Sequence, residues 1–126
     1  MIILYTDGAA NEPAGSKPCN YANNEANTAK TAGIEVYTIG YGLEVELCAE
    51  SGSPYNGVRA TRLLADMATN SKDDHGGCTG TGGAALENAD GDHFLCQPTS
   101  GDLSVVFKQV AVQIVTGGSF LISLPE

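Results

Sequence analysis

The sequence predicts an α/β fold with a three-layer, Rossmann-like parallel sheet and helices on both faces. Apolar runs that suit buried strands alternate along the chain with segments whose apolar residues recur at helical spacing. Such alternation requires crossover connections between parallel strands. The chain has 126 residues, of which 42% are apolar and 17% charged, so we expect one globular domain over residues 1–126.

The elements are predicted in the order β-α-β-α-β-α. Residues 1–6 form a continuous apolar run, which is the pattern of a strand buried on both faces. The segment 21–32 carries three alanines on one helical face and is followed by Gly33, a typical helix stop. Residues 34–42 are rich in β-branched and aromatic side chains and predict a second strand, and 58–68 predict an amphipathic helix.

The second half of the chain has a less regular pattern. Residues 70–92 are polar and rich in glycine, and we expect a long mobile loop there. A short strand is predicted at 93–98, and residues 119–124 suit a closing strand. The last helix is expected to have Ser100 as its N-cap and a buried apolar stripe. That stripe consists of Leu103, Val106, Phe107, Val110 and Ile114.

The charge of the chain limits its partners. Fifteen acidic residues against six basic ones give a net charge of −9. Such a surface repels phosphate backbones, so we expect no nucleic-acid partner. No apolar stretch approaches the roughly 20 residues that span a bilayer. We therefore expect any membrane attachment, and any export signal, to lie in other parts of a longer parent protein.

Four cysteines, Cys19, Cys48, Cys78 and Cys96, are scattered through turn-rich sequence. They form no Cys-x-x-Cys pair, which argues against a zinc ribbon or a thioredoxin-type motif. An even number in polar loops favours two disulfides and an extracytoplasmic, oxidising compartment. The alternative is a cytosolic protein with free thiols, and the three pairings that four cysteines allow stay open.

An acid stands where the first apolar run ends, in Thr6-Asp7-Gly8. The carboxyl ends of parallel strands are where such sheets gather their ligands, and a hard divalent cation prefers oxygen ligands there. A plain turn is a second interpretation. A third is a nuclease carboxylate, because LYTDGAA resembles the first strand of ribonuclease H, whose Asp at that position binds catalytic magnesium. That family continues into an antiparallel meander, whereas a helix and a parallel strand are predicted here, so the Mg²⁺-dependent nuclease is the alternative.

Five segments, taken in order, resemble the later half of a von Willebrand factor A domain. They are IILYTDGAAN, AKTAGIEVYTIGYG, ATRLLADMA, DGDHFLCQP and DLSVVFKQVA. TDGAAN and ENADGDHFLCQP are most similar to the A domains of bacterial Flp/Tad pilus-assembly proteins of the TadG kind. The resemblance implies a non-enzymatic protein-binding or adhesion module, on a pilus-assembly or cell-surface protein, that meets its partner at the carboxyl ends of the strands.

The resemblance also implies a metal-ion-dependent adhesion site. Asp7 would match an acidic residue of that site, with Thr6 and Gly8 shaping its turn and Mg²⁺, or another divalent cation, bridging to an acid of the partner. The family's principal ligands come from an Asp-x-Ser-x-Ser motif that does not occur here, since the nearest string, Asp102-Leu103-Ser104, continues with two valines. We expect this chain to bind metal weakly or not at all, and Mg²⁺ to be held only in the full-length domain.

The absence of the Asp-x-Ser-x-Ser motif also bears on the expected fold. We expect the chain to be a fragment, the later half of one domain, whose first strand leaves an apolar edge uncovered. Pairing of two copies through that edge is the alternative. A structural A domain with a degenerate metal site is the remaining interpretation of the function.

Two further segments, KDDHGG at 72–77 and ADGDH at 89–93, group acids with His75 and His93. The spacing of a calcium-binding EF-hand is absent, so turn chemistry is predicted for Asp90 and Asp92 and a strand start for His93. GTGGAA at 80–85 lacks the residues of a nucleotide-binding loop, and no G-x-S-x-G motif occurs. We find no catalytic set and expect the protein not to be an enzyme.

Overall fold

The computed structural model of the chain describes residues 1–12, 16–43, 45–70, 73–78 and 83–116, without the side chains of 109–110 and 113–116. The elements in this part of the chain are β1 (Ile2–Thr6), α1 (Pro18–Thr31), β2 (Val36–Gly40), α2 (Ala60–Met67), α3 (Gly83–Asn88), β3 (Phe94–Cys96) and α4 (Ser100–Thr116). The predicted α/β class is confirmed: a parallel three-stranded sheet is flanked by helices, which is compatible with a Rossmann-like fold.

The strands lie in the order β1-β2-β3. The register places Leu4 of β1, Thr38 of β2 and Phe94 of β3 in one row across the sheet. β2 is central, is paired on both sides, and buries all five of its residues. Its β-branched and aromatic side chains therefore fill the core on both faces of the sheet.

β1 is an edge strand among the described residues, and the prediction that it is buried on both faces is wrong. Ile2, Ile3 and Tyr5 are 44%, 38% and 61% exposed. An apolar run does not distinguish a central strand from an edge strand, because the neighbour that would bury it lies elsewhere in the sequence. The expected uncovered apolar strand is present in this part of the chain.

Two helices pack on one face of the sheet. α1 begins at Pro18, three residues earlier than predicted, because proline is well tolerated in the first helical turn. Ala26 of α1 and Leu64 of α2 join Phe94 in one buried cluster. The hydroxyl of Thr38 donates to the carbonyl of Leu64 at 2.8 Å, which fastens α2 to the middle strand.

α4 covers the opposite face, so helices lie on both sides of the sheet as predicted. Val106, which is 4% exposed, packs with Tyr37 and Ile39 of β2, and Leu103 packs beside them. The predicted stripe is wrong at Phe107, which is 55% exposed. The side chains of the remaining two stripe positions, 110 and 114, lie outside the described part of the chain.

The N-cap of α4 is Thr99 rather than Ser100. The Thr99 hydroxyl accepts the N–H of Asp102 at 3.2 Å, and the Asp102 carboxylate accepts the N–H of Thr99 at 2.8 Å. This reciprocal arrangement is a capping box. The bond from the Thr99 N–H also holds the pKa of Asp102 below its usual value.

The segment 70–92 contains a short helix, α3, that its glycine-rich sequence does not predict. The side chain of Asn88, the last residue of α3, bridges both backbone groups of Cys96, accepting its N–H at 2.8 Å and donating to its carbonyl at 3.1 Å. These bonds tie α3 to β3. The predicted closing strand at 119–124 lies outside the described residues.

Candidate functional site

Asp7 lies where the sequence places it, directly after the carboxyl end of β1. The hydroxyl of Thr6 donates to the carbonyl of Gly8 at 3.0 Å and accepts the N–H of Gly8 at 3.2 Å, so Thr6 shapes the turn. The Asp7 side chain is exposed. It belongs to neither of the groups of three or more potential metal ligands in the described part of the chain.

Two tyrosine side chains lie at the same end of the sheet as Asp7, the end where the carboxyl ends of the strands meet. The rings of Tyr5 and Tyr41 lie 5.2 Å apart, and the Tyr41 hydroxyl donates to the carbonyl of Pro98 at 2.9 Å. These residues belong to the ends of β1, β2 and β3, so the three carboxyl ends form one surface. Tyrosine is enriched at protein interfaces because it combines a large apolar ring with a polar tip.

Both predicted disulfides are present, and the structure selects one pairing. Cys19 is bonded to Cys48, with their Cα atoms 6.2 Å apart, and Cys78 to Cys96, with Cα atoms 5.8 Å apart. None of the four thiols is free. The first bridge ties the start of α1 to the loop after β2, and the second ties the segment before α3 to the end of β3.

A cluster of acids around one histidine is the feature that the sequence did not reveal. The Nδ1 atom of His75 lies 2.7 Å from Glu87 Oε2, 3.2 Å from Asp73 Oδ1 and 3.8 Å from Asp90 Oδ2. Two overlapping groups could hold a metal ion, Asp73–His75–Glu87 and Glu87–Asp90–Asp92. In each group the candidate ligand atoms all lie within 4.8 Å of one another. Glu87 is common to both.

Glu87 is the buried centre of this cluster, with no exposed surface. Burial raises its pKa to about 7, against the His75 hydrogen bond and with help from Asp92 and Asp90. The bond to Glu87 raises the pKa of His75 in turn. Glu87 therefore favours its neutral form and His75 its charged form, and both changes reduce the surplus negative charge around Glu87.

The turn chemistry predicted for Asp90 and Asp92 is confirmed. Asp90 Oδ1 accepts the N–H of Asp92 at 2.9 Å, and Asp92 Oδ1 accepts the N–H of Phe94 at 2.7 Å. Gly91, with φ of +85°, supplies the left-handed conformation between them. These bonds fix both carboxylates beside Glu87. The spacing Glu-x-x-Asp-x-Asp was the one sequence signal that could have joined the three acids.

A cleft of about 750 Å³ lies between the sheet and α4, and His93 and Tyr37 line it. Their rings lie 4.1 Å apart, and His93 Nε2 is 3.9 Å from Glu35 Oε2. Burial lowers the pKa of His93. His93 directly precedes β3, close to the predicted strand start, and belongs to neither potential metal-ligand group of the described residues.

Comparisons with protein-family models, with curated proteins and with solved structures gave no match for the chain. The fold and the bridges define it as an acidic, disulfide-bonded α/β domain. None of the helices in the described residues is long and apolar enough to cross a membrane.

Proposed function

We propose that this chain is a non-enzymatic protein-binding module, similar to a von Willebrand factor A domain, that works in the periplasm or at the cell surface as part of an adhesion or pilus-assembly protein. The observation that carries the proposal is the exposed apolar edge strand β1. The two disulfides support an oxidising compartment. The order of the sequence segments supports the family.

The outer edge of β1 suits the addition of a strand. No strand of the described residues pairs with that edge, and the run Ile2–Thr6 contains no charged residue that would discourage pairing. An extended partner segment would gain main-chain hydrogen bonds along β1 and apolar contacts with Ile3 and Tyr5. The Tyr5–Tyr41 pair extends this surface to the carboxyl ends of the strands.

The proposed occupant is an extended apolar segment of a different protein. Two copies of this chain each carry a net charge of −9 over the whole molecule, so their association is electrostatically disfavoured. In the full-length domain, Asp7 would contribute a carboxylate to a Mg²⁺ site beside this surface. The exposure of Asp7 at the carboxyl end of β1 supports that role.

A labelled peptide of alternating valine and lysine tests the proposal. We expect it to bind the chain, to slow amide exchange in β1, and to lose at least tenfold in affinity with Tyr5→Lys. Tyr21→Lys is the matched control because Tyr21 is 55% exposed and belongs to α1, not to β1, and it should leave binding unchanged. Absence of peptide binding, or equal effects of the two variants, would refute the proposal and leave a structural domain.

Analytical sedimentation tests the competing occupant of the β1 edge, which is a second copy of this chain. A dimer of the wild-type chain that Tyr5→Lys dissociates would assign the edge to a second copy instead of a partner protein. The nuclease alternative is measured separately, with an RNA–DNA hybrid in Mg²⁺. We expect the hybrid to remain intact; cleavage that disappears in Asp7→Asn would make the protein an enzyme.

A further inference from the structure

We propose that Glu87 of α3, with Asp90 and Asp92 of the loop that joins α3 to β3, forms a calcium-binding site. This site is separate from Asp7, because Asp92 precedes the amino end of β3 whereas Asp7 follows the carboxyl end of β1. In a parallel sheet, these positions belong to opposite ends of the strands.

The buried carboxylate of Glu87 has one oxygen that a cation could bind. Its Oε2 atom contacts His75, while Oε1 is buried and has no hydrogen-bond partner among the described residues. A buried carboxylate oxygen without a partner destabilises a folded protein, because it has lost its water and gained no donor or cation in exchange. A bound cation would satisfy that oxygen and would neutralise charge that the surrounding protein leaves desolvated.

The geometry of the three acids suits Ca²⁺. Their candidate ligand oxygens lie within 4.8 Å of one another. Two ligands on opposite sides of one Ca²⁺ ion are separated by about 4.8 Å, because each Ca–O distance is about 2.4 Å. Ca²⁺ also accepts irregular carboxylate geometry and completes its shell with water or carbonyl oxygens.

The loop holds these carboxylates before any ion arrives. Asp90 and Asp92 each use Oδ1 to accept a backbone N–H of the turn, at 2.9 and 2.7 Å. Glu87 lies on α3, whose last residue, Asn88, is fastened to Cys96. The disulfide between Cys78 and Cys96 adds a covalent link to the segment before α3. The site therefore has anchored ligands on both sides of the turn.

The overlapping group Asp73–His75–Glu87 offers a mixed set of nitrogen and oxygen ligands, which would suit Zn²⁺ better. The Asp73 side chain is 62% exposed, and a single imidazole is a weak basis for zinc binding. The short contact between His75 and Glu87 gives the histidine another role: it orients Glu87 from outside the calcium site. The all-oxygen set is the one we assign.

Calorimetric titration of the metal-free chain with CaCl₂ tests this assignment, with MgCl₂ and ZnCl₂ as comparison ions. We expect one Ca²⁺ per chain, loss of binding in Glu87→Gln, and at least tenfold weaker binding in Asp92→Asn. Asparagine can still accept the Phe94 N–H, so the second variant keeps the turn even where the first fails to fold, and circular dichroism checks both. Glu25→Gln, at an exposed position of α1, is the control and should bind Ca²⁺ like the wild type.

Three results would overturn the calcium site. The first is absence of Ca²⁺ binding by the folded wild-type chain. The second is Ca²⁺ binding that Asp92→Asn leaves unchanged. The third is binding of Zn²⁺ alone, abolished by His75→Gln, which would assign the ion to the histidine group instead. Ca²⁺ binding that is kept in Asp7→Asn would separate this site from the surface of the proposed function.

Discussion

The carboxylate of Glu50 accepts a hydrogen bond of 2.7 Å from the backbone N–H of Cys19, 31 residues earlier in the chain. Its other oxygen accepts the N–H of Asn20 at 3.0 Å. Lys17, the N-cap residue of α1, offers no side-chain cap of its own. The loop after β2 thus supplies both acceptors and a negative charge at the positive end of the helix dipole.

Replacing this cap should destabilise the protein. Glu50 is 5% exposed, so Glu50→Ala leaves two N–H groups of α1 without their acceptor in a buried place. We expect the free energy of unfolding to fall by about 2–3 kcal/mol. Urea denaturation with the disulfides intact measures it. Glu25→Ala, an exposed acid on the same helix, should change it by less than about 0.5 kcal/mol, and an equal effect of both variants would contradict the capping role.

The two disulfides should each contribute to stability through the loops they close. The bonded cysteines are 29 and 18 residues apart, for which loop entropy predicts about 3–4 kcal/mol each. We expect Cys19→Ser/Cys48→Ser and Cys78→Ser/Cys96→Ser to lower the urea midpoint accordingly. A thiol assay on the native protein, denatured without reductant, should find no free thiol. Four thiols would instead indicate a reducing compartment.

Asp74 is the centre of a second charged contact. Arg59 donates to both of its oxygens, at 2.8 and 3.0 Å, and the Thr61 hydroxyl donates at 2.7 Å. Burial alone would raise the pKa of Asp74, but the hydrogen bonds from Arg59 and Thr61 outweigh it and lower the pKa. The folded state therefore favours the ionised carboxylate more than the unfolded state does.

The pH dependence of stability follows from that direction. The pKa of Asp74 in the folded state is below its unfolded value of about 3.9. The ionised Asp74 therefore contributes fully to the free energy of unfolding above about pH 3.9, and this contribution is lost as the pH falls through the folded-state pKa. We expect Asp74→Asn to lower the free energy of unfolding by about 2 kcal/mol at pH 6. This is less than the loss of one partner of a fully buried ion pair, because the Arg59 side chain is 44% exposed. The difference from wild type should shrink below pH 4. A difference that is constant from pH 6 to pH 3 would contradict the ion pair.

Gly40, at the carboxyl end of β2, has no room for a side chain. A Cβ atom there would lie 2.7 Å from Leu43 Cδ1 and 3.0 Å from Leu64 Cδ1, both in buried side chains. Overpacking of about 1–3 kcal/mol exceeds the roughly 0.4–1 kcal/mol that alanine gains through the unfolded state. We expect Gly40→Ala to lower the melting temperature. Gly8→Ala is the matched control, since no atom beyond its chain neighbours lies within 4 Å of its Cβ position. A lower melting temperature for Gly8→Ala as well would remove crowding as the cause.

The alternation of strands and helices could be predicted because each element carries its own periodicity. The stretches that became β2 and α2 contain side chains that suit one conformation regardless of their partners. The edge position of β1 could not be predicted from its own residues, because an apolar run is equally compatible with a central and an edge strand. The expectation of an uncovered edge came only from the family resemblance. Similarly, the exposure of Phe107 depends on where α4 meets the sheet, which the helical repeat alone does not determine.

The acid cluster around His75 could not be predicted from the sequence for a different reason. His75 and Glu87 are separated by residues with no regular pattern, and their 2.7 Å contact exists only once α3 is folded against the segment that carries His75. The Asp90–Asp92 turn was predictable because its hydrogen bonds are local. Long-range contacts of this kind depend on tertiary packing that a single sequence does not encode in any simple spacing.

The two disulfide rings, 19–48 and 78–96, are disjoint along the chain. A protease that cuts inside either ring leaves all 126 residues in one covalent molecule. A single cut between 49 and 77 instead divides the protein into two pieces, each with its own ring, held together only by non-covalent contacts. Exposed residues in that connecting segment therefore decide whether a nicked protein stays whole under oxidising, denaturing conditions.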